Sequence, residues 1–195
     1  MILAGKIPCH GAAYQAAAKN NDKVGLLIFT DQIELYIPPK KGSRHVLRVI
    51  RELLYFKMPE RKTNIPQALD YVAKVLRKKA TVFLVSDFIE TDFKKPISLL
   101  NKRHDVIAVS VRDRAERALP GAGLIEFTDA ESGEIILVDT SSKKFRRQYE
   151  GRSSLRFDEL KDMLRSVNVD CISVNTDKPY IQDLIAFFRM RHQRY

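Results

Sequence analysis

The sequence predicts an α/β protein, a doubly wound and mostly parallel sheet with helices on both faces and an inserted β-hairpin. Three observations lead there. KVGLLIFT (23–30), TVFLVSD (81–87) and DVIAVSV (105–111) are apolar almost without alternation, as strands buried on both faces are. Segments with apolar residues three and four apart separate these strands, and strands alternating with helices build parallel sheets. The 195 residues, 45% hydrophobic and 30% charged, suffice for one domain with a sizeable core, so residues 1–195 are read as a single domain.

Taken in order, GAAYQAAAKNND (11–22) is alanine-rich and helix-prone, ending at Asn20-Asn21-Asp22. After the strand 23–30, Asp31-Gln32 turns the chain into IELYI (33–37), whose alternation suits an edge hairpin strand stopped by Pro38-Pro39. Ser43 is expected to cap a helix through about Leu54, on the stripe Val46, Leu47, Ile50, Leu53 and Leu54. The next helix begins near Asn64 with Pro66 in its first turn. Its stripe runs Ile65, Ala68, Leu69, Val72, Ala73, Leu76. A short helix around 94–103 precedes the strand 105–111, and a loop Arg112–Gly123 follows. LIEFTD and EIILVDT flank Ala130-Glu131-Ser132-Gly133 as a hairpin. SSKKFRRQYEGRSSLRFDELKDMLRSV reads as a long polar helix with Gly151 as its candidate interruption. VDCISVN is the last strand. PYIQDLIAFFRMR is a closing amphipathic helix with Pro179 at its start and Phe187 and Phe188 turned to the core.

Composition narrows the function classes. The net charge of +10 is spread over many short basic groups, most on polar helix faces or at helix ends, and reads as a solvated basic surface. No aromatic-and-basic interleaving of the RNA-recognition type occurs, so a nucleic-acid-binding protein is the alternative and not the leading reading. Cys9 and Cys171 make no disulfide framework, and His10, His45, His104 and His192 have no zinc-like spacing. There is no apolar run of about 18 residues, and the apolar start is shorter than a signal peptide's apolar region of about 7–15 residues. A cytoplasmic protein with reduced thiols is expected.

Enzyme readings do poorly. Asp87-Phe88-Ile89 lacks the second carboxylate an aspartate-nucleophile phosphatase needs two residues on. Gly121-Ala122-Gly123 precedes a strand, the opposite of a phosphate loop's context. Ser86 has neither a nucleophile elbow nor an evident histidine base. Asp129-Ala130-Glu131-Ser132-Gly133 reads as a turn and not a calcium loop. The expectation is a protein that is not an enzyme.

In parallel α/β sheets the functional site lies beyond the carboxyl ends of the strands, where Asp87 stands. Thr63, in RKTNIPQALD, lies one crossover earlier. A threonine hydroxyl and an aspartate carboxylate are hard oxygen ligands, suited to magnesium or calcium and not to zinc. Equally, Thr63 or Asn64 can cap the helix and Asp87 can end a turn. Spacing leaves both open.

KNNDKVGLLIFTDQIELYIPPKKG, TNIPQALDYV, TVFLVSDF and NKRHDVIAVSVRD together resemble the von Willebrand factor A-like domain of an uncharacterised bacterial family, over roughly residues 15–190. That family is often encoded beside MoxR-type AAA+ ATPases. The resemblance implies a metal-ion-dependent adhesion site built from an Asp-x-Ser-x-Ser loop, a threonine and an aspartate. The threonine carries over to Thr63 and the aspartate to Asp87. No Asp-x-Ser-x-Ser occurs before Lys23, and the family's central first strand is missing or reduced to Met1–Ala4. Unless Met1–Ala4, a neighbouring chain or re-pairing fills that gap, backbone groups there stay unpaired. The abrupt loss of similarity favours an amino-terminally truncated chain over a divergent form. The implied function is protein–protein interaction with a degenerate metal site and a MoxR-type ATPase or its client as partner. Mg2+ would bind only if solvent or the partner supplies the missing ligands. A metal-free scaffold that recruits a strand into the sheet gap is a further alternative.

Overall fold

The computed structural model describes residues 2–4, 22–57, 59, 62–90, 92–128, 135–177 and 181–193. Its strands are β1 (Ile2–Ala4), β2 (Val24–Phe29), β3 (Ile33–Lys40), β4 (Thr81–Ser86), β5 (Asp105–Arg112), β6 (Leu124–Thr128), β7 (Ile135–Asp139) and β8 (Asp170–Asn175). Its helices are α1 (Ser43–Tyr55), α2 (Ile65–Val75), α3 (Lys94–Asn101), α4 (Arg114–Arg117), α5 (Lys143–Ser166) and α6 (Ile181–His192). Six strands form one sheet in the order β3-β2-β1-β4-β5-β8, all parallel except the antiparallel edge strand β3. The mixed α/β architecture expected from the doubly apolar strands is present.

Successive residues of a strand point to opposite faces, and each face here buries its own apolar cluster. Leu27, Phe29, Val82, Leu84 and Ala108 pack beneath α2, α3 and α5 through Ile65, Leu69, Val72, Ile97 and Leu164. Leu26, Ile28, Ile107, Val109 and Ile172 pack beneath α1 and α6 through Val46, Val49 and Phe187. Fully burying one such side chain is worth about 1.5–3 kcal/mol. No helix among the described residues is long and apolar enough to cross a membrane.

Several expectations are refined. Ile2–Ala4 does fill the central position, pairing in parallel with Leu26–Ile28 on one side and Phe83–Val85 on the other. Over those residues no gap is left to recruit a foreign strand. β3 is not stopped by its prolines but runs through Pro38-Pro39 to Lys40, with a register shift against β2. An edge strand tolerates proline because one of its sides has no ladder to supply. Gly25 faces this irregularity, where a Cβ would meet the Ile37 carbonyl oxygen at 2.9 Å. Gly42, at φ 102°, and not Ser43, is the residue before α1, and it makes no side-chain cap. Gly151 interrupts nothing, since α5 is continuous for 24 residues. Within the loop 112–123 lies α4, announced by a reciprocal Asp113/Glu116 capping box. Phe187 is buried as expected but Phe188 is 44% exposed. The expected helix 11–22 and the turn at 129–133 lie outside the described residues, Asp22 excepted.

Candidate functional site

Chain order reverses between β1 and β4: from β1 the sheet grows through β2 on one side and through β4 on the other. Such a switch point opens a crevice beyond the carboxyl ends of the two strands. Asp87 follows β4 directly, at this crevice.

The Asp87 loop is fixed by its own atoms. Ser86 is buried, and its Oγ accepts from Phe88 N–H (3.1 Å) and donates to Asp87 Oδ1 (3.3 Å). Ile89 N–H also donates to Asp87 Oδ1, at 3.3 Å. Phe88 takes the left-handed φ of 57°, uncommon for a bulky residue. Its ring is buried against Phe93 with centroids 5.4 Å apart, which offsets that strain. Asp87 is therefore half-buried, with Oδ1 engaged locally and Oδ2 receiving no hydrogen bond from the described residues. Among the described residues no lysine or arginine pairs with it.

Thr63 reaches the same rim. The alternatives open at the sequence level separate here: Asn64 is the helix cap, its side chain accepting from Gln67 N–H at 2.9 Å. Asn64 N–H donates to the carbonyl of Thr30 at 2.8 Å, which pins the 62–64 segment to the end of β2. Ile65 N–H donates to Glu90 Oε2 at 2.7 Å, tying the start of α2 to the loop after β4. Thr63, half-buried, and Asp87 thus stand on one rim with no hydrogen bond joining them. Glu90 was not singled out from the sequence, since a lone glutamate in a loop carries no local signal of a bond 25 residues back.

Beside Asp87 a cleft of about 380 Å³ opens between the ends of β4 and β5 and the flank of α5, lined among others by Ser110, Arg112, Glu116, Tyr149 and Phe157. Arg112 lies over the Phe157 ring at 4.3 Å and donates to Ser153 Oγ at 2.9 Å. Burial pushes the Glu116 carboxyl above the ordinary glutamate range, against the hydrogen bond from Asp113 N–H, and the Asp87 charge adds to the rise. Ser110 is buried, with no hydrogen-bond partner for its Oγ among the described residues. A larger cavity, about 880 Å³, lies at the opposite rim around His104. Its Arg191, Asp105 and Asp170 are consumed in ion pairs with one another, and Asn101 by backbone groups, so the smaller cleft is the better site.

A family model described as "Protein of unknown function DUF58" matches residues 10–156. The chain belongs to the DUF58 family. Uncharacterized proteins of Mycobacterium bovis and Mycobacterium tuberculosis are each 22% identical over 177 residues, 88% of this chain and 55% of theirs. The chain spans about half the length of these curated relatives. An uncharacterized protein of Mycobacterium avium is 23% identical over 131 residues, covering 67% of this chain and 77% of that protein. Among solved structures, a conserved hypothetical protein BatB from Bacteroides thetaiotaomicron superposes with a TM-score of 0.54 at 12% identity, over 98% of this chain and 96% of that one. An aerotolerance-related membrane protein from Bacteroides fragilis gives 0.52 at 14% identity, over 90% of each chain. At those identities the likeness is one of fold.

In this DUF58 chain the described residues of the rim do not by themselves complete a cation site. Magnesium takes six oxygen ligands in near-octahedral geometry, whereas among the described residues Thr63 and Asp87 supply two side chains, and the Ser110 hydroxyl, though it has no hydrogen-bond partner, is buried. Glu90 serves α2, Glu34 accepts from Thr30 Oγ1 at 2.6 Å, and Asp113 caps α4. The described residues hold no group of three or more His, Cys, Asp or Glu able to bind a metal.

Proposed function

We propose that this chain is a von Willebrand factor A-like interaction module that works by binding another protein at the carboxyl rim of its sheet. The observation that carries the reading is Asp87, a half-buried carboxylate at the switch point with Oδ1 fixed by its own loop and Oδ2 left over. A preorganised acceptor of this kind loses little entropy on docking. Ser86, the nearest hydroxyl to a nucleophile, is buried and already hydrogen-bonded, which supports binding over catalysis. Thr63 flanks the docking point as a neutral donor. The sequence resemblance points to a MoxR-type AAA+ ATPase, or its client, as the partner.

The test is a surface-binding titration of the chain and of Asp87→Ala against the MoxR-type ATPase encoded nearest to it, with magnesium and with EDTA. Asp87→Ala should weaken binding at least tenfold, about 1.4 kcal/mol, with unchanged melting. Equal affinities would remove the rim as the docking face. Calorimetric titration with magnesium alone should give the same flat trace for both chains, and a saturable heat lost in Asp87→Ala would overturn the incomplete-site reading.

A further inference from the structure

Away from the rim, β6 and β7 form a separate two-stranded antiparallel ribbon. Two strands alone are marginal in water. This ribbon nevertheless leaves Leu124, Ile135, Ile136 and Leu137 each more than half exposed. Its base is firmly set. Thr140 is fully buried, donating through N–H and Oγ1 to the carbonyl of Gly123, both at 2.7 Å. Arg146 of α5 donates to the carbonyls of Thr140 and Ser141. The ribbon is thus a held arm on which these four side chains find no cover among the described residues.

Charge says what covers it. Between Leu124 and Asp139 the sequence has five acidic residues and no lysine or arginine, in a chain of net charge +10. The next element is its inverse: residues 143–156, the first part of α5, carry six lysines and arginines and one acidic residue, Glu150. Helical spacing puts Phe145, Arg152, Leu155 and Arg156 on one flank of α5. All four are exposed, Leu155 at 64%. On the ribbon, Leu124 lies opposite Asp139 and Glu126 opposite Leu137, so one face mixes two leucines with two carboxylates. An apolar-and-acidic face and an apolar-and-basic flank are complementary, and no ion pair joins Glu126, Asp139, Arg152 or Arg156 to another described residue.

We infer that the β6–β7 arm of one copy docks on the Phe145/Arg152/Leu155/Arg156 flank of α5 in a second copy, and the reverse, closing a two-fold dimer. Only residues 140–142 separate arm from flank in sequence. The base of the arm thus adjoins the first turns of the helix that carries the flank, and arm-on-flank taken both ways is a self-complementary interface. The apolar residues supply area, and the charges set register and orientation. Arg152 and Arg156 also line the cleft beside Asp87, but the docking makes no use of Asp87 or Thr63.

Sedimentation velocity on the 195-residue chain tests it, with two charge reversals, Glu126→Lys/Asp139→Lys on the arm and Arg152→Glu/Arg156→Glu on α5. The wild type should dimerise, more weakly as salt rises from about 50 to about 500 mM. Each reversal alone should weaken the dimer at least tenfold, with circular dichroism and melting showing the fold intact. An equimolar mixture of the two should regain it, because each reversed surface then meets its complement. A wild type monomeric at low salt, a dimer indifferent to both reversals, or a mixture that stays monomeric would each overturn the inference.

Discussion

Glu90→Ala probes the device that keeps Thr63 and Asp87 on one rim. In the wild type, Glu90 Oε2 accepts from Ile65 N–H at 2.7 Å. That amide belongs to the first turn of α2, which has no intrahelical acceptor to offer it. Ile65 is itself fully buried, so water replaces the carboxylate poorly. Hydrogen bonds to charged acceptors contribute about 1.5–3 kcal/mol. Glu90 is partly exposed, so solvent screening brings this to the bottom of that range and somewhat under it, about 1–2 kcal/mol. For a chain of this size each kcal/mol moves the melting temperature by about 2–4 °C, so Glu90→Ala should lower it by about 2–8 °C. Glu90→Gln keeps a neutral acceptor and should lose about half as much free energy. Urea unfolding gives the free energies. Amide hydrogen exchange gives the location: the Ile65 amide should exchange faster in Glu90→Ala while amides in β5 stay as they were. If Ile65 exchange and the melting temperature are both unchanged, Glu90 does not join the two loops into one rim.

Two predictions concern buried titratable groups. Burial holds the His104 ring below its ordinary value of 6.5, with neighbouring Arg103 adding to the fall. The folded state therefore binds fewer protons than the unfolded one. The stability from keeping this ring neutral is full above 6.5 and erodes as pH falls from there toward the folded value. The urea midpoint should drop between about pH 7.5 and about pH 5, and His104→Gln should flatten that drop; equal slopes in both chains would refute it. Cys171 is mostly buried, and burial pushes its thiol up to about 11 from 9.0. In a Cys9→Ser background it should react with iodoacetamide at least about tenfold more slowly than a free thiol, until urea unfolds the chain. A free-thiol rate in the folded state would contradict the burial.

What the sequence reveals follows the physics of each element. β2, β4 and β5 are legible because Leu26–Phe29, Val82–Val85 and Val106–Val109 are apolar on both faces, a pattern that survives any change in their neighbours. β1 is barely legible, since three residues show no period and it is their pairing with β2 and β4 that makes them a strand. The proline pair in β3 misleads because its effect depends on an edge position the sequence does not state. Asp87 and Thr63 are readable as the ends of a strand and a crossover. Glu90, Ser110 and Glu116 are not, because each acquires its surroundings only when separate loops or strands meet. α4 was within reach: Asp113 and Glu116 have capping-box spacing, though four residues give no apolar stripe to confirm it.

The short first strand has a mechanical consequence. β2 and β4 are six residues long and β1 is described over three, so the described ladders on either side of the sheet's middle are half the length of that joining β4 to β5. What spans this seam is mostly side chain: Ile65, Leu69 and Val72 of α2 share a cluster with Leu27 and Phe29 on one bank and Val82 and Leu84 on the other. The two halves of the molecule are riveted across one face more than they are stitched along the backbone. Thinning a rivet, as Leu69→Ala does, should let the banks part locally before either half unravels.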